Sequence, residues 1–432
     1  MFIITNIIIF FFAIRQYFIY RGIKQSISFL NNNDSASGEY CHNYDILCIV
    51  PMLREAHQAR YTVEHFLPMV NEIGGKLIIV TTEKEGYEKH LQQNIDDTYT
   101  VITMLNKEFD FVHLHFNDIS GVKSDQINWA ISTYFHNLDD DASHRSFCIV
   151  YDADSRPQLD SFHKFLQAIN KYPKCNVFHQ SSEFEARHLK IEGSIHSNIN
   201  ALLADSSALR ANRFVLGFEL PRLIRYKHKK LSMPQRPSYT YTHITGHGLC
   251  IRCSYLLENP LPPQTAVEDM FYSFILCSHG EPMIPISSLD SAEVPISQKV
   301  QFKQLVRWFA GPARFWQYFR YPATKRGINS IFTLLSAALI TVEWLLCAFI
   351  IPFFLLAFFY GDISTRLLIA TFFLFVCIQL LTVERFFENK VLNLRTIFIL
   401  LLYPITTTLF GLSGIIGMLS LFRGDRMFGK TE

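Results

Sequence analysis

The sequence has no internal repeat and no basic stripe, and its 40 Lys and Arg against 38 Asp and Glu leave a net charge of only +2. The balance itself says little about partners, and without a basic stripe no nucleic-acid partner is expected. Also missing is a basic start ahead of the apolar N-terminus, where Ile, Phe and Tyr dominate from Met1 to Tyr20 and Arg15 is the one charge. A cleaved signal peptide needs that start and a small-residue cleavage site, so an uncleaved anchor helix is expected over residues 1–22. Charge is scarce again after Asn329, where Leu, Ile and Phe prevail as far as Phe422 and Glu343 is the chief exception. The nine cysteines are scattered, most of them in the middle of the chain, and are expected to be reduced.

What is present divides the chain into five parts. After the anchor, residues 23–40 include the polar run from Asn31 to Gly38 and read as a linker. Residues 41–300 read as a soluble α/β domain, residues 301–328 as an aromatic, Arg-rich amphipathic helix at a membrane surface, and residues 329–432 as a membrane region. Arg21 and Lys24 directly after the anchor place the middle domain in the cytoplasm by the positive-inside bias, which makes the chain a multi-pass protein of the cell membrane. Apolar segments at 331–360, 367–381 and 396–422 are long enough to be weighed against the ~20 residues that cross a bilayer. Three crossings from the cytoplasm leave the C-terminus outside, yet Arg423, Arg426 and Lys430 look cytoplasmic. One segment is therefore expected to be a hairpin or re-entrant turn, either the first, with Pro352, or the last, with Pro404 and Gly411.

Within the middle domain, a buried-strand pattern at 44–50, helical periodicity at 54–70 and a second strand at 76–80 make a βαβ unit and imply a parallel sheet. A strand at 111–114 and a helix at 126–135 follow. Then Phe147-Cys148-Ile149-Val150 reads as a short buried strand with Asp152 and Asp154 at its C-terminal end, the rim where open α/β sheets bind ligands. Two carboxylates spaced i, i+2 on an extended chain share one face and can approach a divalent cation also held by phosphates. The plain alternative is a turn, since Asp154-Ser155-Arg156-Pro157 is good turn chemistry. His243, His247, Cys250 and Cys253 have zinc-like spacing, but in a strand-like run residues three apart face opposite ways, which argues against zinc.

The motif order resembles the family 2 glycosyltransferases, in particular the membrane-embedded branch of cellulose, hyaluronan and chitin synthases. The resemblance runs through Ile49-Val50-Pro51 with Glu55, the segment from Lys123 to Asn128, Asp152-Ala153-Asp154, Gly246-His247-Gly248, Val267-Glu268-Asp269 and Gln304-Leu305-Val306-Arg307-Trp308. The last, Gln-x-x-Arg-Trp, is the most specific of them. One departure stands out: where the family carries an Asp pair after its second strand to hold the base, this chain has Thr81-Thr82-Glu83.

The resemblance implies a GT-A domain with a mixed, mainly parallel sheet between N- and C-terminal transmembrane helices. It implies a nucleotide-diphosphate sugar donor, with UDP as the expected carrier, and a growing polysaccharide or lipid-linked glycan as acceptor at the bilayer. Asp152 and Asp154 would hold Mg²⁺ or Mn²⁺. Pro51, Glu55, Glu83, Lys123, Asn128 and Arg307 would bind the donor, and Gly246, His247, Glu268, Gln304 and Trp308 the acceptor. Asp269 would be the general base of a one-step, inverting transfer. Its alternative is structural, because acid in the first turn of a helix is welcome for its own sake. Arg307 offers a fork to a diphosphate and Trp308 a flat face to a sugar, while Phe309, Phe315 and Phe319 are expected to face lipid. Single addition to a lipid-phosphate carrier, and a non-catalytic scaffold that lost base recognition, are the rival readings.

Overall fold

The computed structural model describes residues 2–32, 44–89, 97–136, 138, 140–186, 195–229, 246–262, 267–388 and 394–423. In chain order the elements begin α1 (Phe2–Asn31), β1 (Asp45–Pro51), α2 (Ala56–Glu72), β2 (Lys76–Thr82), α3 (Glu83–Lys89), α4 (Thr98–Leu105), β3 (Val112–Phe116), α5 (Lys123–Phe135), α6 (Asp140–Arg145) and β4 (Ser146–Val150). There follow β5 (Arg156–Pro157), α7 (Ser161–Lys171), β6 (Val177–Glu185), and α8 (Ile195–Phe214), which passes through a π-helical turn (Val215–Glu219) into α9 (Leu220–Lys229). The remainder is β7 (Leu249–Arg252), α10 (Cys253–Glu258), α11 (Glu268–His279), β8 (Met283–Glu293), α12 (Gln298–Ala313), α13 (Phe315–Arg320), α14 (Ile328–Tyr360), α15 (Ile363–Glu388) and α16 (Leu394–Arg423).

The strands form one eight-stranded mixed sheet in the order β3-β2-β1-β4-β7-β6-β8-β5. β1 to β4 run parallel, β7 is antiparallel to both of its neighbours, β6 and β8 are parallel, and β5 is antiparallel to β8. The central strands are apolar on both faces because helices cover both. Leu47, Ile49 and Ile78 pack in one core, and Ile46, Cys48, Val50 and Ile79 in the other. Each such fully buried aliphatic side chain contributes about 1.5–3 kcal/mol. β1 and β4 pair from Asp45↔Ser146 to Ile49↔Val150, so their C-terminal ends lie side by side, with Pro51 as the last residue of β1 and Asp152 just past β4.

The same two-sidedness disposes of the zinc spacing. Cys250 lies in one core and Cys253 in the other, on opposite faces of the sheet, and His243 is outside the described residues.

Three described helices are long and apolar enough to cross a membrane: α14, α15 as Ile363–Phe387, and α16. Each is continuous, including past Pro352 in α14 and Pro404 in α16, so no hairpin or re-entrant turn interrupts the expected segments. α1 also differs from expectation, since it does not give way to a linker at residue 23 but continues to Asn31. Its last turns are docked on the π-helical turn: Ile23 is buried, the Ser26 hydroxyl donates to the Leu216 carbonyl at 2.8 Å, and Gly22 lies so close to the Gly217 carbonyl that a Cβ would collide. Residues 33–43 of the expected linker are outside the described residues.

α16 lies against α8, α12 and α14. Its buried positions are mostly small or hydroxylic, among them Thr396, Thr406, Gly411, Ser413, Gly414 and Gly417. Its exposed stripe is Ile397, Leu401, Ile405, Leu412, Ile416 and Leu419. This packing corrects the expectation for the helix that carries Gln-x-x-Arg-Trp. Phe309 does not face lipid; it is fully buried, edge-on to Trp344 at 5.5 Å and seated against Gly414 and Gly417. Phe315 and Phe319, in α13, are half-buried, each with one side against the core that contains Phe271 and Tyr318.

Candidate active site

One cavity of about 1040 Å³ opens at the C-terminal ends of β1 and β4 and extends down between α1, α14, α15 and α16. Its wall includes Pro51, Glu55, Lys123, Asp152, Asp154, Gly246, His247, Glu268, Asp269, Gln304, Arg307 and Trp308. Twelve of the fourteen residues singled out from sequence thus line this one cavity.

Two do not. Asn128 is five residues along α5 from Lys123, which at 100° per residue points it about 140° away. Both ends of its amide are taken by the Leu261 backbone, at 2.8 Å and 3.0 Å. Glu83 is turned aside to His115 at 2.9 Å and is half exposed. At the end of β2, Thr81 is buried, its hydroxyl within 2.8 Å of His113 Nε2 and 2.9 Å of His115 Nδ1. Burial, with the neighbouring His115, lowers His113 to about 4, so it stays neutral. The place where the resembled family carries an Asp pair is, in this chain, a hydroxyl and imidazole cluster.

The acids are built on rigid supports. Arg156 holds the turn that carries them, donating to the carbonyls of Ala153 at 2.9 Å and Ser155 at 2.6 Å while its guanidinium lies 4.2 Å over the Tyr61 ring. Thr62 adds a bond to the Ala153 carbonyl at 2.7 Å. Beneath the turn, Tyr151 donates to Gln180 Oε1, and Gln180 donates onward to Ser161 at 2.8 Å and Ser288 at 3.3 Å. These supports had no sequence signal, because Gln180, Ser161 and Ser288 belong to three different elements and form a network only after folding. On the other side of the cleft, Arg54 adopts a left-handed φ of 59°. That conformation is uncommon for a non-glycine residue, and it is held by a bond from the Arg54 N–H to the buried Glu85 carboxylate at 2.8 Å.

Electrostatically the site is an acid cluster with its cations attached. Lys123 donates to Asp152 at 2.6 Å and to the Gly246 carbonyl at 2.8 Å. Burial works against its charge, but Asp152, Glu268 and Asp269 outweigh that and hold its pKa above the ordinary value. Asp154 is raised by burial and by its neighbour Asp152. Glu268 is pushed to about 7 by burial, with Lys123 opposing and Asp269 adding to the rise. Burial also opposes protonation of His247, yet its 2.6 Å bond to the fully buried Asp290 raises it to about 9. Gly246 lies between Lys123 and Asp269: a Cβ there would come within 3.3 Å of the Lys123 ammonium and 3.6 Å of the Asp269 carboxylate.

Among the described residues no three His, Cys, Asp or Glu side chains converge to make a closed metal site. Asp152 and Asp154 do fit a hard cation that keeps waters and takes its remaining ligands from phosphates, and the mutual repulsion that raises Asp154 is what such a cation would relieve.

No family model matches the chain, and no curated protein matches it. Among solved structures it is similar to the mannosyltransferase PcManGT from Pyrobaculum calidifontis in complex with GDP-Man and Mn2+, at 11% identity over 99% of this chain and 100% of that one, with a TM-score of 0.48. So distant a likeness assigns neither family nor activity.

Proposed function

We propose that the protein is a membrane-bound, inverting glycosyltransferase with a GT-A-type domain that moves a sugar from a nucleotide-diphosphate donor to a glycan or lipid-linked acceptor. The observation that carries this reading is the convergence of Asp152, Asp154, Lys123, Asp269, Arg307 and Trp308, drawn from four separate stretches of sequence, on the wall of one cavity. In this reading Asp152 and Asp154 would hold Mg²⁺ or Mn²⁺, which would supply positive charge to a diphosphate. Lys123 fixes Asp152, and Arg307 takes a phosphate. Trp308 supplies a face for the sugar. Asp269 receives the proton of the acceptor hydroxyl as the oxygen attacks the anomeric carbon, the bond to the diphosphate breaks, and the electron pair leaves with the nucleoside diphosphate.

The same reading orients the chain. The domain faces the cytoplasm of the cell membrane, α1, α14 and α15 cross, and α16 lies along the membrane surface beneath the domain. What supports this is that α16 rests on α8 and α12 as well as on α14, with small and hydroxylic positions toward these helices and an aliphatic stripe away. Three crossings return Arg423 to the cytoplasmic side, which removes the conflict between segment count and charge.

The test is a donor screen on the full chain in membranes: UDP- and GDP-sugars with Mg²⁺ or Mn²⁺, following nucleoside diphosphate release with and without lipid extract. Release that falls by about 10²- to 10⁴-fold in Asp269→Asn is expected. No release with any donor from folded protein would leave a non-catalytic scaffold in its place.

A further inference from the structure

Below the acid cluster, α8 projects Arg210 and Arg213 into the membrane end of the same cavity. Neither belongs to any motif in the sequence. Arg213 donates to Gln379 at 2.8 Å, to the Tyr403 hydroxyl at 3.1 Å and to Gln16 at 2.5 Å, three neutral acceptors on α15, α16 and α1. Arg210 lies 3.9 Å over the Phe410 ring, and its Nε is buried without a hydrogen-bond partner among the described residues. Burial lowers Arg210 to about 10, which leaves it a cation at neutral pH.

The neighbouring cations are treated differently. Arg15 pairs with Glu343 at 2.6 Å and Arg395 with Asp205 at 2.7 Å. Among the described residues no carboxylate pairs with Arg210 or Arg213. Two guanidinium groups at the edge of an apolar region without a counter-ion are costly, and the cost falls when an anion binds between them. The wall beyond them is Ile350 and Ile351 of α14 with Phe372, Phe373, Val376 and Leu380 of α15. A hydrocarbon chain fits that wall. A sugar polymer does not, since it would need a polar path.

We propose that Arg210 and Arg213 seat the phosphate of a lipid-phosphate-linked acceptor, its hydrocarbon chain lying along α14 and α15 and its sugar hydroxyl reaching up to Asp269. The acceptor role rests on the transferase reading above. The phosphate seat itself rests only on the two arginines and the apolar wall. Fork-like guanidinium donors are the groups that bind a phosphate ester most specifically.

The experiment uses the full chain in phosphatidylcholine nanodiscs, titrated separately with a polyisoprenyl phosphate, the matching polyisoprenol and inorganic phosphate, with the thermal unfolding midpoint as readout. The lipid phosphate is expected to half-saturate at a concentration at least tenfold below the alcohol. The double variant Arg210→Gln, Arg213→Gln should erase that preference and Arg210→Lys, Arg213→Lys should restore part of it. The comparison of phosphate with alcohol on the unaltered chain needs no variant to fold. Equal half-saturation by phosphate and alcohol would overturn the seat, and inorganic phosphate saturating as tightly as the lipid would overturn its assignment to a lipid. Nucleoside diphosphate release is measured in parallel. Release without lipid-phosphate preference removes this inference alone, and preference without release removes the transferase reading and leaves the seat standing.

Discussion

The two ends of the cavity solve the problem of buried charge in opposite ways. At the sheet end, Asp152 has Lys123, His247 has Asp290, and the excess of acid is the part that a metal and a diphosphate would complete. At the membrane end, Arg210 and Arg213 have neutral or aromatic neighbours, and the excess is cationic. A site with acid in excess above and guanidinium groups in excess below would suit a substrate pair in which one member arrives with a cation and the other with an anionic head.

The largest expected effect breaks the upper end alone. Asp269→Asn should reduce transfer by about 10²- to 10⁴-fold while donor binding is retained, as checked by single-turnover assay beside a donor titration. Turnover near that of the unaltered chain would remove Asp269 as the base. Asp154→Ala should abolish both activity and its dependence on divalent metal, and undiminished activity in chelator would defeat the metal assignment.

The next effect concerns the joint between the two ends. Gly417→Leu would drive a side chain into Phe309 and the Val306 carbonyl, so α12 and α16 cannot both keep their places. Overpacking of this kind costs about 1–3 kcal/mol, and a lowered unfolding midpoint with reduced transfer is expected. A neutral result would mean that α16 does not hold the helix of Arg307 and Trp308.

A smaller effect separates the ends by pH. The bond to Asp290 raises His247 from 6.5 to about 9, so its stabilisation is full below pH 6.5 and is lost as pH rises through about 9. Asp290→Asn should therefore lower the unfolding midpoint most at pH 6 and least above 9. Persistence of the same slope in the variant would show that another group titrates. The smallest effect is on activity: Phe422→Cys, on the exposed end of α16, should leave transfer unchanged yet react with an impermeant thiol reagent only from the cytoplasmic side. Labelling from outside would mean that α16 crosses.

The upper end was legible because its chemistry is local in sequence. Asp152 and Asp154 share a strand end, Glu268 and Asp269 a helix start, and Gln304, Arg307 and Trp308 one helix. The strands were legible too, since β1, β2 and β4 are apolar on both faces and stop where polar residues begin. Phe309 was misread because helical spacing tells which residues share a face but not what covers it, and here α16 does. Asn128 and Glu83, which the resemblance assigned to the donor, are not on the cavity wall: helical phase turns Asn128 away from Lys123 to the Leu261 backbone, and Glu83 goes to His115.

The sequence by itself determined the buried strands, the acids at their ends and the apolar length of the last three helices, because each follows from local periodicity and from the span of a bilayer. The tertiary structure alone decided that the α8 arginines meet the membrane helices, that α16 covers Phe309, and that α1 runs on into the π-helical turn. Those contacts join residues far apart in the chain, nearly 200 positions in the case of Arg213 with Gln16 at 2.5 Å, and the free energy that selects them comes from burial and charge that no local pattern encodes.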